Sequence, residues 1–374
     1  MWFVPDLRFP EFTDEWERKK FRDVCNITTG NKNTQDKSND GIYPFYVRSQ
    51  IVERINSWTF DGEAILTAGD GVGVGKVFHY STGKIGVHQR VYILSDFKLD
   101  CKYLYSYFAG HFYNRVKRMS AKNSVDSVRM EMIADMPISL PSTEEQKKIG
   151  HLLALLDERI ATQTKIIERY KSLIRGINQY AFTNTGINYK LGEICEIRSG
   201  YSGNQLTLKN GLKVSRIETI SEHKVNMERV GYVAPFESSE NYRLQIGDIL
   251  FSNINSVEYI GNTAFIDKDY NLYHGMNLLR LIPKKELVIP FYLYLVLNTN
   301  RLLNHFKTVC NKAVSQASIN QTELGKTIVL IPNLMNQNRI CELFQTLYTK
   351  LEAERYFISL LQGQKQHLLR QMFI

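Results

Sequence analysis

The chain has 374 residues, 43% of them hydrophobic and 23% charged, with a net charge of +9 at neutral pH. This length favours two or three domains, and the basic balance suits an anionic partner such as nucleic acid. The five cysteines are scattered and form no C-x-x-C pair, which excludes the usual zinc motifs and suits reduced thiols. The apolar runs are too short to span a bilayer. We therefore expect a soluble, cytoplasmic protein.

Residues 1–140 predict a first domain of mixed α and β structure. Short apolar runs predict strands at 64–66, 76–78 and 90–94, separated by glycine turns, and a helical stretch follows at 103–118. The glycine-rich run before Lys76 is not a phosphate-binding loop, because Asp70 and Val77 stand where glycine and Ser or Thr are required. We interpret it as a turn.

Residues 141–182 predict a long helix. Pro141 precedes Ser142, which we expect to form a capping box with Glu145. Apolar residues then recur in steps of four and three, which is the coiled-coil period, with Gln163 as the polar exception. About 40 residues would extend roughly 60 Å.

The second half of the chain repeats the first. Residues 20–30 match 190–200, and residues 140–182 align without a gap to 331–373. Strands are predicted at 249–251, 263–266 and 278–282, and a helix at 290–307. The chain therefore predicts a second domain over 183–331 and a second long helix over 332–374, where Glu354 takes the register of Gln163 and a polar pair could fix helix alignment.

The apolar stripe of each long helix needs a partner, and the other helix is the best candidate. We call the predicted contact the helix seam. Its residues are Ile149, Leu153, Leu156, Ile160, Ile167 and Ile174 in the first helix, and Ile340, Phe344, Leu347, Leu351, Ile358 and Leu361 in the second.

The sequence offers little for catalysis. It has no Pro-Pro pair, which the target-amine loop of amino-directed DNA methyltransferases contains, no G-x-S-x-G elbow and no H-E-x-x-H motif. Cys25 and Cys195 share a register among apolar neighbours, which indicates buried core thiols. A single-chain methyltransferase or nuclease, and a coiled-coil scaffold without a DNA role, remain the alternatives.

The arrangement resembles the specificity subunits of type I restriction–modification systems over essentially the whole chain. The segments that carry the resemblance are Trp16-Glu17, Lys20-Phe21 leading to Gly30, residues 100–105 and residues 140–149. The second helix keeps Pro332, Gln337 and Ile340 but lacks the paired acids of the first.

The resemblance implies an α+β protein with two mixed α/β target-recognition domains separated by two long helices. In that family each domain binds one half of a split double-stranded DNA target. The helices dock two methyltransferase subunits, and a separate restriction and translocase subunit cuts DNA. It implies no catalytic site, cofactor or metal in this chain, while S-adenosylmethionine, ATP and Mg²⁺ serve the partner subunits.

The symmetry of DNA supports such a plan. Equivalent methyltransferases acting on both strands require approximately two-fold placement, which tandem repeats achieve if their helices form an antiparallel coiled coil. We therefore expect a pseudo-two-fold tandem repeat. Because the two domains differ in sequence, the two halves of the target should differ as well.

Candidate DNA contacts are basic and amide side chains in or beside the predicted turns, since Lys and Arg bind phosphates and Arg, Asn, Gln and His reach base edges. In the first domain they are Arg48, Lys76, His88, Gln89, Arg90, Lys122 and Asn123. In the second they are Tyr201, Asn253, Asn255, His274, Asn277, Lys312 and Gln316.

Overall fold

The computed structural model describes residues 5–71, 73–119, 127–182, 186–207, 210–221, 223–312 and 316–373. The chain divides into unit 1, which comprises Met1–Ile166 and Glu354–Ile374, and unit 2, Ile167–Ala353. Each unit thus contains one sheet domain together with the start of one long helix and the end of the other. The finer bounds 1–140, 141–182, 183–331 and 332–374 remain our proposal.

Unit 1 contains two four-stranded sheets, in the orders β2-β9-β6-β7 and β4-β3-β8-β5, and a separate antiparallel pair, β1 with β10. The strands are β1 (Glu17–Lys20), β2 (Asn26–Thr29), β3 (Tyr43–Tyr46), β4 (Glu53–Ile55), β5 (Phe60–Asp61), β6 (Ala64–Ala68), β7 (Phe78–Ser81), β8 (Lys84–Val87), β9 (Val91–Ser95) and β10 (Pro137–Leu140). The helices are α1 (Phe21–Val24), α2 (Cys101–Met119), α3 (Met130–Ala134) and the long α4 (Thr143–Tyr180), with a 3₁₀ turn at Thr34–Asp36.

Helix α2 packs in the core of unit 1 with the first of these sheets. Its Leu104, Phe108 and Phe112 recur at every fourth position and so share one helix face, and all three are fully buried. Ile65 of β6 and Leu94 of β9 belong to the same core. A strand as apolar as β6, with all five residues buried, forms because it has neighbours on both edges and cover on both faces.

One predicted strand of unit 1 is displaced. The sequence placed it at 76–78, but β7 begins at Phe78 and Lys76 lies in a turn whose Val77 N–H donates to Gly73 O. The turn depends on Gly71 and Gly75, which have φ of 80° and 67°, a conformation that costs glycine little. The glycines therefore extend the loop by two residues.

Unit 2 repeats the central sheet with the same topology, in the order β12-β18-β15-β17, and the same antiparallel edge pair, β11 with β21. Two smaller sheets are β13-β14 and β16-β20-β19. The strands are β11 (Ile187–Lys190), β12 (Cys195–Ser199), β13 (Leu212–Val214), β14 (Gly231–Val233), β15 (Ile249–Phe251), β16 (Ile254–Asn255), β17 (Thr263–Phe265), β18 (Leu279–Pro283), β19 (Asn311–Lys312), β20 (Ala317–Ser318) and β21 (Ile328–Ile331). The helices are α5 (Leu191–Ile194), α6 (Pro290–Leu297), α7 (Asn300–Val309), α8 (Gln321–Gly325) and the long α9 (Leu334–Gln371), and 3₁₀ turns lie at Ile217–Ile220, Met227–Arg229 and Ser239–Tyr242.

The single helix predicted at 290–307 is two helices. Helix α6 ends at Leu297, and Thr299 starts α7 by accepting a hydrogen bond from Leu302 N–H at its side-chain oxygen. Threonine is a favoured N-cap because its hydroxyl satisfies an otherwise unpaired amide. Thr299 lies in the polar stretch 298–301, and a cap of this kind is easily missed when only apolar periodicity is followed.

The long helices α4 and α9 are each 38 residues, close to the predicted length. At the start of α4, Ser142 Oγ accepts a hydrogen bond from Glu145 N–H at 3.4 Å. The other half of the expected capping box is wrong, because the Glu145 carboxylate binds Arg8 through two 2.7 Å hydrogen bonds. The basic partner draws this fully buried acid away from the helix end.

Gln146 and Gln337 occupy the same register in the two copies, and both side chains hydrogen-bond backbone groups at the starts of helices. The Gln146 side chain accepts a hydrogen bond from Asp100 N–H and donates to Pro141 O. The Gln337 side chain accepts from Ile289 N–H and donates to the carbonyls of Leu287 and Pro332. Each buried amide therefore joins the start of a long helix to the start of the helix that packs on the sheet.

Within unit 1 the two long helices run antiparallel. Asp157 and Gln163 of α4 contact Lys365 and Glu354 of α9, respectively, so partner numbers fall as the α4 numbers rise. The polar residues Gln163 and Glu354, which the sequence placed in one register, thus form a hydrogen bond. In unit 2, Phe182 just beyond α4 packs its ring against Phe344 of α9, with centroids 5.9 Å apart.

The predicted seam residues of both long helices are buried or half-buried. The members that are buried are Ile149, Leu153, Ile167, Ile174, Phe344, Leu347, Leu351 and Leu361, while Leu156, Ile160, Ile340 and Ile358 are half-buried. Ile149 and Leu153 share a core with Tyr103 of α2 and Phe373. The first turns of α4 therefore pack against their own domain and the end of α9 together.

None of the helices in the described part of the chain is long and apolar enough to cross a membrane.

Candidate nucleic-acid interface

The loops that follow the strands at one end of each central sheet converge. Because β2, β9 and β6 are antiparallel neighbours, the ends of β2 and β6 and the start of β9 lie at the same end of the sheet. Gly69 N–H donates to Arg90 O, Val128 N–H donates to Gly69 O, and Gln89 N–H donates to Lys32 O. We call this end of the sheet the first loop end; it comprises residues 30–33, 69–71, 88–90 and 127–129, together with Arg48, which contacts Asp70.

Unit 2 has an equivalent end. Tyr201 N–H donates to His274 O, Ile319 N–H donates to Asn253 O, and β20 joins β16 to β19. We call it the second loop end; it comprises residues 200–205, 252–256, 275–277, 311–312 and 316–319.

A glycine shared by the repeats allows both loop ends to close. A Cβ on Gly30 would lie 2.2 Å from Val87 O, and one on Gly200 would lie 1.9 Å from Gly275 O. Any side chain there would overlap a backbone oxygen, so only glycine permits this approach. The glycines that ended the repeated motif in the sequence are therefore where the strand turns into the loop end.

The first loop end is dominated by two arginines around one carboxylate. Arg48 Nη1 lies 2.9 Å from Asp70 Oδ1, and Arg90 Nε lies 3.6 Å from Asp70 Oδ2. Gln89, beside Arg90, donates a 2.7 Å hydrogen bond to Asn33 Oδ1. Three of the predicted contacts, Arg48, Gln89 and Arg90, therefore come together at one surface.

His88 supports this surface and does not form it. Its side chain is buried, its Nδ1 accepts a hydrogen bond from Arg90 N–H, and its Nε2 lies 3.3 Å from Thr34 Oγ1. Burial and the nearby Arg48 guanidinium lower the pKa of His88, which favours the neutral ring that can accept from Arg90. We correct its assignment from base contact to positioning residue, because a ring this buried has no edge to offer.

Lys76 is exposed and its Nζ lies 5.0 Å from the centroid of the Tyr113 ring, a cation–π contact. It projects from the turn whose Gly73 approaches the backbone oxygen of Arg48. Lys122 and Asn123 lie outside the described residues.

The second loop end is rich in amides. Asn255 donates through Nδ2 to Ser252 Oγ and accepts from Ser256 N–H, while Asn253 Nδ2 donates to Ile319 O. Lys312 is exposed on β19, and Gln316 is exposed directly before β20, which pairs with β19. The pairing of β16, β20 and β19 therefore brings four of the predicted residues together.

Asn277 and Tyr201 complete this surface. Asn277 is exposed and has φ of 66°, a conformation that asparagine tolerates better than most residues. The Tyr201 ring stacks on Phe236 with centroids 3.9 Å apart, and Tyr242 meets both rings edge-on. An aromatic cluster beside amides is typical of surfaces that contact bases, but rings also pack this way for stability.

His274 is a second correction. It is 1% exposed, and its Nε2 lies 2.9 Å from Leu278 O, so its ring stabilises the turn from within. Burial lowers the pKa of His274 to about 4, which keeps the ring uncharged near neutral pH. It therefore leaves the set of candidate DNA contacts.

Sequence reasoning missed Asp70, Asn33, Phe236 and Tyr242. Asp70 was used only to reject a phosphate-binding loop, although an acid flanked by glycine in a basic protein is a reasonable partner for an arginine. Phe236 and Tyr242 lie in a stretch without periodicity, so no local signal placed them beside Tyr201.

The cysteines are core residues, as their register indicated. Cys25 Sγ donates to Phe21 O and Cys195 Sγ donates to Leu191 O, and burial raises the pKa of each thiol to about 12. In the described ranges, three or more His, Cys, Asp or Glu side chains nowhere converge as a metal site would require.

Comparisons with known proteins identify the family of the chain. The family model "Type I restriction modification DNA specificity domain" matches twice, at residues 13–171 and 187–357. A putative type I restriction enzyme MjaX specificity subunit of Methanocaldococcus jannaschii is 38% identical over 188 residues, covering 49% of this chain and 44% of the relative. That alignment therefore spans less than half the relative's length.

Other relatives match over most of their length. The type I restriction enzyme MjaVIII specificity subunit of M. jannaschii is 24% identical, covering 93% of this chain and 89% of the relative. The crystal structure of a type I restriction–modification system S subunit from M. genitalium has a TM-score of 0.67 at 15% identity, covering 100% of this chain and 99% of that one, and so shares the fold. Since the family model covers both halves, the chain belongs to the family of type I restriction–modification DNA specificity proteins.

Proposed function

We propose that this chain is the DNA-recognition subunit of a type I restriction–modification complex, in which each loop end binds one half of a split double-stranded target. The observation that carries the proposal is the repeated loop end. Two sheets with the same strand order present different polar side chains, arginines in one and amides in the other. A common scaffold with unlike contact groups suits two different half-sites.

We further propose that the chain is not an enzyme and that methyltransferase subunits dock on its long helices. Leu155, Leu343 and Leu360 are each more than two-fifths exposed on α4 and α9, which leaves apolar helix surface for such partners. S-adenosylmethionine, ATP and Mg²⁺ would then serve the modification and restriction subunits. A complex of this kind acts on cellular DNA in the cytoplasm.

The test is a domain exchange in the assembled complex. Residues 20–140 would be replaced by the matching segment of a relative with another target, and methylated adenines would be mapped in DNA from cells that also express the methyltransferase subunit. We expect one half of the split motif to change and the other to persist. Changes in both halves would contradict the division of recognition between the domains.

A second measurement tests the absence of catalysis. The purified chain alone, incubated with labelled S-adenosylmethionine and DNA, should transfer no methyl group, and the complex with the methyltransferase subunit should. Transfer by the chain alone would contradict the proposal.

A further inference from the structure

We propose that Arg90 is the specificity-determining residue of the first domain and that it recognises a guanine. This inference rests on the proposed function and assigns a base to one side chain of the first loop end. Four observations carry it: a fixed backbone, an oriented guanidinium, a neighbouring cation suited to another task, and a different residue at the matching turn of the second domain.

The backbone of Arg90 is held on both sides. Its N–H donates to His88 Nδ1 at 3.0 Å, and its carbonyl accepts from Gly69 N–H at 2.8 Å. A Cβ on Gly69 would lie 3.0 Å from Arg90 O, so the approach of the two strands leaves little room to shift. The side chain therefore projects from a fixed Cα, which direct base recognition requires.

The guanidinium is oriented by a carboxylate. Arg90 Nε faces Asp70 Oδ2 at 3.6 Å, and among the described residues none hydrogen-bonds its two terminal nitrogens. The side chain is 64% exposed, whereas Asp70 is 27% exposed. An arginine whose Nε faces a carboxylate leaves Nη1 and Nη2 as a fork, and that fork matches the O6 and N7 acceptors of guanine.

The neighbouring cations are suited to other tasks. Arg48 donates a 2.9 Å hydrogen bond to Asp70 Oδ1, so it fixes the carboxylate through the oxygen that Arg90 does not face. One carboxylate between two guanidinium groups leaves a net positive charge, which suits a phosphate-rich partner. Lys76 carries a point charge over the Tyr113 ring, and an ammonium has no planar fork for bidentate base contact.

The second domain carries a different residue in the corresponding turn. In the first domain Lys32 forms an isolated β-bridge with His88, and in the second domain Tyr201 forms one with Gly275. The turn after each bridge leads into an inner strand of the sheet, β9 or β18. Gln89 and Arg90 form the tip of the first turn, and Met276 and Asn277 form the tip of the second. Arginine is therefore specific to the first domain, and so should be the guanine it binds.

The test uses the complex with its methyltransferase subunit and compares Arg90→Lys and Arg90→Gln with the parent chain. Methylated-adenine mapping defines the parent motif, and competition binding then measures each variant against duplexes that differ at single positions of the first half-site. We expect one guanine position to lose its preference over adenine by about 5- to 150-fold in both variants, while the second half-site is unchanged. Arg90→Lys should keep the salt dependence of binding, since it keeps the charge.

Arg22→Gln is the matched control, because Arg22 is also a half-exposed arginine beside an aspartate, Asp135 at 2.8 Å. It lies in α1, before β2, and should leave every base preference unchanged. If Arg90→Lys discriminates like the parent, Arg90 is only a charge contact and the inference is overturned. If the parent complex methylates no split motif, the proposed function itself fails; a split motif without guanine in the first half overturns only this inference.

Asp70→Asn tests the positioning role. It should keep the same preferred base at that position but reduce the preference, because the guanidinium loses its ionic partner while keeping its fork. A thermal unfolding midpoint near that of the parent, with unchanged recognition of the second half-site, separates this effect from misfolding. Full discrimination in Asp70→Asn would contradict the role of Asp70 in orienting the Arg90 guanidinium.

Discussion

The first and second loop ends show how one scaffold carries two chemistries. Both rest on four antiparallel strands in the same order, and both close over a glycine, Gly30 or Gly200, that approaches a backbone oxygen. The side chains they present differ, since the first gathers Arg48 and Arg90 around Asp70 and the second gathers amides. The strands therefore set where contact groups stand, and the loops set which groups they are.

The largest effect is expected from a buried charge in the long helix α9, which contributes to both units. Leu347 of α9 is 8% exposed and Leu343, one turn earlier, is 44% exposed. Leu347→Asp buries an unpaired carboxylate and should lower the free energy of unfolding by on the order of 3 to 5 kcal/mol. Urea unfolding followed by circular dichroism measures this cost. Leu343→Asp is the control and should stay within about 0.5 kcal/mol of the parent.

His274 makes the second domain sensitive to acid. Because burial lowers its pKa to about 4 from an unfolded value near 6.5, the unfolded chain takes up a proton first as pH falls. Stability from this group is therefore full above about pH 6.5 and is lost toward pH 4, by about 3 kcal/mol. Unfolding titrations from pH 7 to pH 4 should show a smaller decline in His274→Leu than in the parent. An equal decline in both chains would contradict the assignment.

The paired glutamines sharpen the comparison, because one chemical change can be made at the same register in each copy. Gln337 is fully buried with three hydrogen bonds, and Gln146 is 3% exposed with two. Removing a side chain that satisfies buried backbone groups costs about 1 to 3 kcal/mol. We expect Gln337→Ala to lower the thermal midpoint more than Gln146→Ala. The reverse order would show that the two junctions are held differently.

Asn277 gives the smallest effect and the most local one. Asparagine can bind adenine through two hydrogen bonds, so Asn277→Ala should reduce discrimination at one position of the second half-site roughly tenfold. The first half-site should be unaffected, whereas the unfolding midpoint should fall slightly, because alanine tolerates a φ of 66° less well than asparagine does. Competition binding with single-position duplex variants measures both half-sites. A loss shared by both half-sites would mean that Asn277 acts on folding or assembly.

The parts of the fold that the sequence predicted are those with strong local signals. The strands at 64–66 and 249–251 are uniformly buried apolar runs, and the long helices have a sustained apolar stripe. The small sheet β4-β3-β8-β5 was not predicted, because its strands are two to four residues long and alternate poorly. The break between α6 and α7 was also not predicted, because it depends on the single capping side chain of Thr299.

The site was predicted in outline only. Turn chemistry placed Gln89 and Arg90 at an exposed position, which the structure also shows. Their partners Asn33 and Asp70 are distant in the chain, and no pattern in a single sequence links positions that far apart. Histidine was misjudged twice for the same reason: His88 and His274 lie in polar-looking turns whose backbone folds over the ring.

The contact between Arg8 and Glu145 joins the segment around residues 7 and 8 to the long helix α4. Leu7 N–H also donates to Gln371 O, so this segment joins the beginning of α4 to the last turn of α9. A shortened protein starting after residue 8 would leave a fully buried carboxylate without its cation, although residues 5–8, the described part of what is removed, contain no strand or helix. Removing this segment, which precedes the residues that match the family model, is therefore a poor choice when designing expression vectors.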